Sequence, residues 1–168
     1  TNTYRIINIE ADGIPGLIVD KYDKYLVCQF LSAGAEFWRE SIIEILAEEF
    51  NLAGIYERSD TDSRVKEGLE KKTGLIYGEE PLTEIVIHED DIKYYVDIKS
   101  GHKTGFYLDQ RKARIKAAML SREKNVLNLF GYTGAFSAHA AKGGAISVDT
   151  VDVSRPAIEL AKMNMRLN

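Results

Sequence analysis

The run from Val126 to Asp152, VLNLFGYTGAFSAHAAKGGAISVDTVD, narrows more than any other what this chain can fold into. Val126-Leu127-Asn128-Leu129-Phe130 is apolar enough for a strand covered on both faces. Gly131 and Gly134 follow, and glycine lets a backbone turn sharply and approach a ligand where a side chain would collide. The small residues from Ala135 to Lys142 predict a helix opening at that turn, its free amide N–H groups and positive dipole end facing the same point. Gly143-Gly144 ends the helix and feeds a second strand, Ala145 to Val151. Asp152 then sets a carboxylate at the tip of that strand, where it can accept hydrogen bonds from two ribose hydroxyls. Strand, glycine turn, helix, strand and acid in this order make the core of a dinucleotide or S-adenosylmethionine site.

The glycines decide between those ligands. A nicotinamide fingerprint wants G-x-G-x-x-G to cradle a pyrophosphate. This turn offers Gly131-Tyr132-Thr133-Gly134 followed by Ala135 and Phe136, so the phosphate reading is the weaker one. A second constellation lies at Gly101 to Arg111. Gly101 and Gly105 mark a bent loop, and Asp109 sits where it would N-cap a basic helix, Gln110 to Leu120. Phe106 and Tyr107 could lie against an adenine or a target base; the plainer alternative has Phe106 as core.

The strings NLFGYTGAFS at 128–137, GHKTGFYLDQR at 101–111 and IEADGIPGLIVDKY at 9–22 occur in the order found in a known family. Over essentially the whole chain the sequence resembles S-adenosylmethionine-dependent RNA methyltransferases that methylate C5 of a cytosine in 23S ribosomal RNA. The resemblance implies an α/β chain, with an N-terminal α+β domain at 1–98. The beginning of a Rossmann-like class I methyltransferase domain follows at 99–168, its parallel sheet truncated. It implies S-adenosylmethionine as cofactor and ribosomal RNA as partner. Phe106, Asp109, Gln110 and Arg111 match the family's FxxDQR pattern, in a segment that packs over the cofactor. With Asn128, Phe130, Gly131, Tyr132, Thr133, Gly134 and Asp152 they form the implied cofactor set.

In that family an RNA-binding PUA domain precedes the IEADG segment, and the catalytic cysteine, with an Asp-Pro-Pro type motif, follows the point where this sequence stops. The chain is therefore expected to be a fragment without methyl-transfer activity of its own and with no catalytic residue. Its terminal helix, Pro156 to Leu167, presents Ile158, Leu160, Ala161 and Met165 to a sheet, so self-association or a loosely packed C-terminal part is expected. Many methyltransferases place an acid where Asn128 stands, to hold the methionine amino group. An amide carbonyl can accept that bond without the opposite charge, and the resembled family also reads N-L-F here, which leaves Asp152 as the main anionic contact.

Charge is uneven. Residues 1–98 carry 10 Lys and Arg against 21 Asp and Glu, whereas residues 99–124 carry 8 against 2. A phosphate feels the local potential rather than the total of −4, so Lys99, Lys103, Arg111, Lys112, Arg114 and Lys116 are candidate RNA contacts. The alternative is a solvated helix face. No apolar run approaches the ~20 residues of a membrane span, and no signal-peptide pattern opens the chain, which predicts a cytoplasmic protein without membrane contact. The single cysteine excludes an intrachain disulfide, and with three scattered histidines it argues against a structural zinc.

In the first domain Gly16 to Val19 and Tyr25 to Phe30 predict a hairpin about Tyr22-Asp23-Lys24, with Cys28 a buried thiol on the face of Leu26 and Phe30. Ala35 to Phe50 predicts one amphipathic helix, with Phe37, Trp38, Ile42, Ile45 and Leu46 inward and Glu36, Glu40, Glu44 and Glu48 outward. Gly54 to Arg58 reads as a strand, and Asp60, Asp62 or Ser63 as the cap of a short helix ending near Leu69. Arg58 and Arg64 could meet phosphate, with pairing to neighbouring acids the favoured reading. Glu84 to His88 and Ile92 to Ile98 predict a second hairpin, with His88 exposed and His102 and His139 structural or solvated. Three functions remain open: part of the cytosine-C5 enzyme, a methyltransferase for another substrate, or a noncatalytic ligand- or RNA-binding module.

Overall fold

A computed structural model describes residues 1–168 and divides them into two compact units. The first comprises Asn2–Ile85 and Val96–Phe106; the second comprises Val86–Tyr95 and Tyr107–Asn168, with Thr1.

The first unit is a five-stranded mixed sheet in the order β1 (Thr3–Asn8), β2 (Leu17–Tyr22), β3 (Tyr25–Phe30), β4 (Gly54–Ser59) and β5 (Lys72–Gly78). The predicted hairpin is β2–β3, turning at Asp23 (φ 54°), a residue type that tolerates the left-handed region. Its register pairs Leu17 with Phe30 and Val19 with Cys28, which collects these side chains and Leu26 on one face. Ala35, Ile43, Leu46 and Ile55 complete that core. β3 and β4 are parallel, and the crossover runs through α1 (Ala33–Phe37) and α2 (Arg39–Glu49). As expected, Cys28 is fully buried, and burial pushes its thiol pKa up.

The single helix expected at Ala35 to Phe50 is two. Ser32 caps α1 through an Ala35 N–H bond of 3.1 Å, and the backbone breaks at Trp38 before α2 starts. The break resets the phase of the apolar stripe, so Ile43 and Leu46 face the core while Phe37, Trp38 and Ile45 are 78%, 61% and 57% exposed. Ile14, Trp38, Ile42 and Ile45 line a groove of about 630 Å³ on this unit. Glu36 is not a plain solvent residue, since it bonds Arg64 at 2.8 Å and Lys72 at 2.6 Å. The short helix is α3 (Asp62–Lys66), whose cap position falls to Thr61 rather than to Asp60, Asp62 or Ser63.

The second unit contains all but the end residues Ile85 and Val96 of the hairpin β6 (Ile85–Glu89) and β7 (Ile92–Val96), which turns at Asp90-Asp91. After a 3-10 turn at Leu108–Gln110 come α4 (Arg111–Ser121), β8 (Asn125–Leu129), α5 (Ala135–Lys142), β9 (Ser147–Val151) and α6 (Arg155–Leu167). β8 and β9 run parallel in register, Asn125 beside Ser147 and Leu129 beside Val151. This is the predicted strand–helix–strand order, with one correction: β8 is not covered on both faces. Leu127 and Leu129 are 61% and 55% exposed, because the parallel sheet has two strands and the alternate face has no layer over it. Ala157, Ala161 and Asn164 are the buried residues of α6, a spacing of four and three that marks one helical face; Met165 lies outside it. No helix is long and apolar enough to cross a membrane.

Candidate functional site at the glycine turn

The turn between β8 and α5 is built from left-handed residues. Phe130, Tyr132 and Gly134 have φ of 56°, 47° and 78°, and Gly131 donates its N–H to the carbonyl of Val151 on β9 at 3.0 Å. Asp152 locks the arrangement from the other strand: one carboxylate oxygen accepts the Tyr132 N–H at 2.9 Å and the other accepts the Ser154 N–H at 2.9 Å. The acid beyond β9 therefore lies against the turn, as the motif order requires. It already serves the backbone as an acceptor on both oxygens. Beneath the turn, the Asn128 amide donates to Ser137 Oγ at 2.8 Å, and Ser137 shares a 2.7 Å bond with Thr150. With Asn128 donating there, its carbonyl is left for another donor.

The two glycines owe their identity to internal packing as much as to ligand access. A Cβ on Gly131 would come within 2.5 Å of Thr150 Cγ2, and one on Gly134 within 2.9 Å of Ala161 Cβ. Gly134 also has no side chain with which to cap α5, so the first amides of that helix have no side-chain acceptor. Thr133, 3% exposed, holds a buried hydroxyl oxygen with no hydrogen-bond partner. Uncapped amides, an orphan hydroxyl and a carboxylate at one turn suit a ligand rich in hydroxyl and carboxylate groups, such as an adenosine joined to an amino acid.

Two of the sequence motifs meet in the first unit. Thr104 donates to Asp20 at 2.5 Å and bonds the Tyr22 hydroxyl at 2.8 Å, while the Phe106 N–H donates to the same hydroxyl at 3.2 Å. Arg5 pairs with Asp20, and Arg58 donates to the carbonyls of Ile98 and Gly101 at 3.1 and 3.0 Å. The loop is thus pinned at its base, and His102 and Lys103 stand exposed at its tip. Phe106 is 2% exposed, so its ring is core in this unit.

Asp109 does not cap the basic helix. The 3-10 turn draws it inside Leu108–Gln110, and Gln110 takes the cap position of α4 without a side-chain bond. Arg111 forms an ion pair with Asp90, and its guanidinium holds the Asp90 carboxyl below the usual carboxylate range. Arg114 cannot meet a phosphate. It is fully buried, donates to both oxygens of Glu89, with Nε at 2.7 Å, and gives a third bond of 2.8 Å to the Tyr107 carbonyl. Lys99 pairs with Glu80 at 2.6 Å, while Lys103, Lys112 and Lys116 are exposed. His139 is structural, as expected: burial lowers its pKa, and its Nδ1 lies 2.7 Å from the Tyr94 hydroxyl. His88 is half-buried rather than exposed, its carbonyl accepting the Thr1 hydroxyl at 2.6 Å.

Sequence reasoning passed over Asn164, whose amide donates to the Thr133 carbonyl at 2.9 Å and whose oxygen accepts the Tyr95 N–H at 2.7 Å. A signal was present: a polar residue in register with Ala157 and Ala161 on an otherwise apolar stripe.

Comparison with known proteins agrees with this geometry. The chain is 53% identical over 165 residues to "Ribosomal RNA large subunit methyltransferase I" of Shewanella amazonensis, which covers 98% of this chain and 42% of that protein. The Vibrio cholerae protein of the same name is 52% identical over the same length. The chain thus spans about two fifths of the length of these relatives. Among solved structures, a SAM-dependent methyltransferase from Streptococcus mutans superposes over 100% of this chain and 43% of its own, with a TM-score of 0.87 at 30% identity. A methyltransferase solved in complex with SAH superposes with the same TM-score at 29% identity, covering 100% of this chain and 42% of its own. A family model described as S-adenosylmethionine-dependent methyltransferase matches residues 70–168, more than half of the sequence, and the chain belongs to that family.

Proposed function

We propose that the chain is part of an enzyme that methylates C5 of a cytosine in 23S ribosomal RNA, with S-adenosylmethionine held at the turn Phe130–Gly134. The observation that carries the cofactor reading is Asp152 fixed against the turn by the Tyr132 N–H, next to the uncapped start of α5. Likeness to large-subunit ribosomal RNA methyltransferases supports the substrate class. The cofactor, when bound, supplies the methyl group.

The residues of this chain bind and orient. Asp152 accepts ribose hydroxyls, the oriented Asn128 carbonyl accepts from the methionine amino group, and the first amides of α5 face its carboxylate. Phe130, 87% exposed, together with Gly131, Tyr132, Thr133 and Gly134 forms the wall of the site. Phe106, Asp109, Gln110 and Arg111 belong to the proposed set through the FxxDQR pattern, Phe106 by holding the loop and not by an exposed ring. Addition of a cysteine to C6 is the ordinary way to make cytosine C5 nucleophilic. Cys28 does not fit that role, since it is sealed in the first unit's core with its thiol held protonated. On this reading Lys99, Lys103, Arg111, Lys112 and Lys116 are the cations offered to RNA phosphates, without Arg114.

Calorimetry with S-adenosylhomocysteine tests the cofactor site. Asp152→Ala is expected to weaken binding at least tenfold, and wild-type affinity in that variant would remove Asp152 from the site. For RNA, each phosphate contact contributes about 0.7 to 0.9 to the logarithmic salt slope. Lys112→Ala with Lys116→Ala should flatten the slope by one or more, whereas an unchanged slope assigns these lysines to solvation.

A further inference from the structure

The residues at the end of the glycine turn are held by a buried polar framework that starts in the β6–β7 hairpin. Tyr94 and Tyr95 are neighbours on β7, the first acting through its side-chain hydroxyl and the second through its backbone N–H. The Tyr94 hydroxyl lies 2.7 Å from His139 Nδ1 and 3.4 Å from the Ala135 carbonyl, the first carbonyl of α5. His139 Nδ1 also lies 3.1 Å from that Ala135 carbonyl, and Nε2 faces a Glu89 carboxylate oxygen at 3.7 Å, so the ring bridges Tyr94, the start of α5 and Glu89. The Tyr95 backbone N–H is taken by Asn164, which in turn donates to the Thr133 carbonyl. Glu89, at the end of β6, binds Arg114, which holds the Tyr107 carbonyl; the Tyr107 ring stands edge-on to Tyr132 with centroids 5.7 Å apart.

Tyr132, Thr133 and Ala135 are thus each tied to the same hairpin by a separate chain of contacts. Glu89, Arg114, His139 and Asn164 are all at most 4% exposed, and Tyr94 is fully buried. Buried polar groups in one satisfied network specify a single geometry where apolar packing would allow several.

We infer that Tyr94, His139 and Asn164 are positioning residues for the cofactor: the hairpin sets the conformation of residues 132–135 so that the turn and the first amides of α5 are preorganised before ligand arrives. The inference rests on the proposed cofactor reading of the turn and adds to it a supporting shell outside the contact residues. Preorganisation of this kind appears as affinity, because the ligand no longer has to select one conformer of the turn.

The test compares three variants of the chain. Tyr94→Phe removes one hydroxyl, and Asn164→Asp keeps the acceptor for Tyr95 but cannot donate to Thr133. Ile87→Val trims the buried core of the same hairpin without touching a tie. Amide resonances of Thr133 to Phe136 should move in the first two variants and stay in place in the third. S-adenosylhomocysteine should bind at least fivefold more weakly to the first two and as wild type to Ile87→Val. Unmoved turn resonances in Tyr94→Phe and Asn164→Asp would overturn the inference, as would an equal loss of affinity in all three. If the wild-type chain binds no S-adenosylhomocysteine, the cofactor reading of the turn fails by itself, and the amide resonances still decide whether the hairpin holds the turn.

Discussion

Both units bury charged side chains, and they differ in the sheet that lies beside those charges. In the first, Leu17, Val19, Leu26, Cys28, Phe30 and Ile55 lie at zero exposure on one sheet face under α1 and α2, beside the buried Asp20, Glu57, Arg58 and Arg64. In the second, the largest fully buried side chain is Arg114, accompanied by Glu89, His139 and Asn164, while Leu127, Leu129 and Val151 of the parallel strands stand half open. Apolar burial stabilises without regard to direction. A buried ion pair adds little net stability but punishes any rearrangement that separates it. The unit that carries the ligand turn is the one whose parallel strands stay half open beside its buried charges.

The sharpest way to break this contrast is Arg114→Ala, which strands the Glu89 carboxylate in the interior. It should cost about 3–5 kcal/mol, read as lost amide protection along α5 with the first unit's strands unaffected. Replacing both partners, Arg114→Met with Glu89→Met, should restore most of that stability if the pair is held for geometry, and turn resonances would show what is lost instead. Next in size is Leu26→Ala, expected to cost about 2–5 kcal/mol in a urea titration that follows the first unit; an equal effect on α5 protection would deny that the units are distinct in stability.

A pH dependence follows in the second unit from a buried histidine. His139 faces Glu89, Asp90, Arg114 and Tyr94, and burial lowers its folded pKa below the ordinary value of about 6.5. Below that ordinary value the unfolded chain takes up a proton that the folded unit resists. Stability is therefore lost as pH falls through about 6.5 and levels off below the lowered folded value. His139→Gln should reduce the stability difference between pH 7.5 and 5.5, measured by denaturant midpoints. The smallest effect is predicted for Leu129→Ala, 55% exposed on β8, at no more than about 0.5 kcal/mol. A cost of several kcal/mol there would mean that the open face is covered in solution, and sedimentation would then show association.

Local grammar was legible. The glycines that flank Ala135 to Lys142 bound α5 at both ends, and Asp23 gave the β2–β3 turn, because these residues act through their own backbone. β1 and β5 escaped notice. Thr3–Asn8 carries little alternation, and Lys72–Gly78 contains glycines that read as loop, yet pairing with β2 and β4 completes both. The break at Trp38 likewise has no marker such as proline or glycine. At the site, the order of turn and acid was visible, but Arg114 was misjudged as a surface cation since its partner lies 25 residues earlier in a hairpin. Pairings across the chain leave no trace in composition, and a basic helix offers no hint of which cation turns inward.

The lone thiol on β3 gives this molecule a built-in clock. Cys28 has no exposure and is protonated at ordinary pH, so a thiol reagent reaches it only when the five-stranded sheet opens. Since the second unit holds no cysteine, the time course of modification counts openings of one unit and is blind to the other. Followed beside amide exchange in α5, it would time the two halves of the chain independently, with no residue substituted.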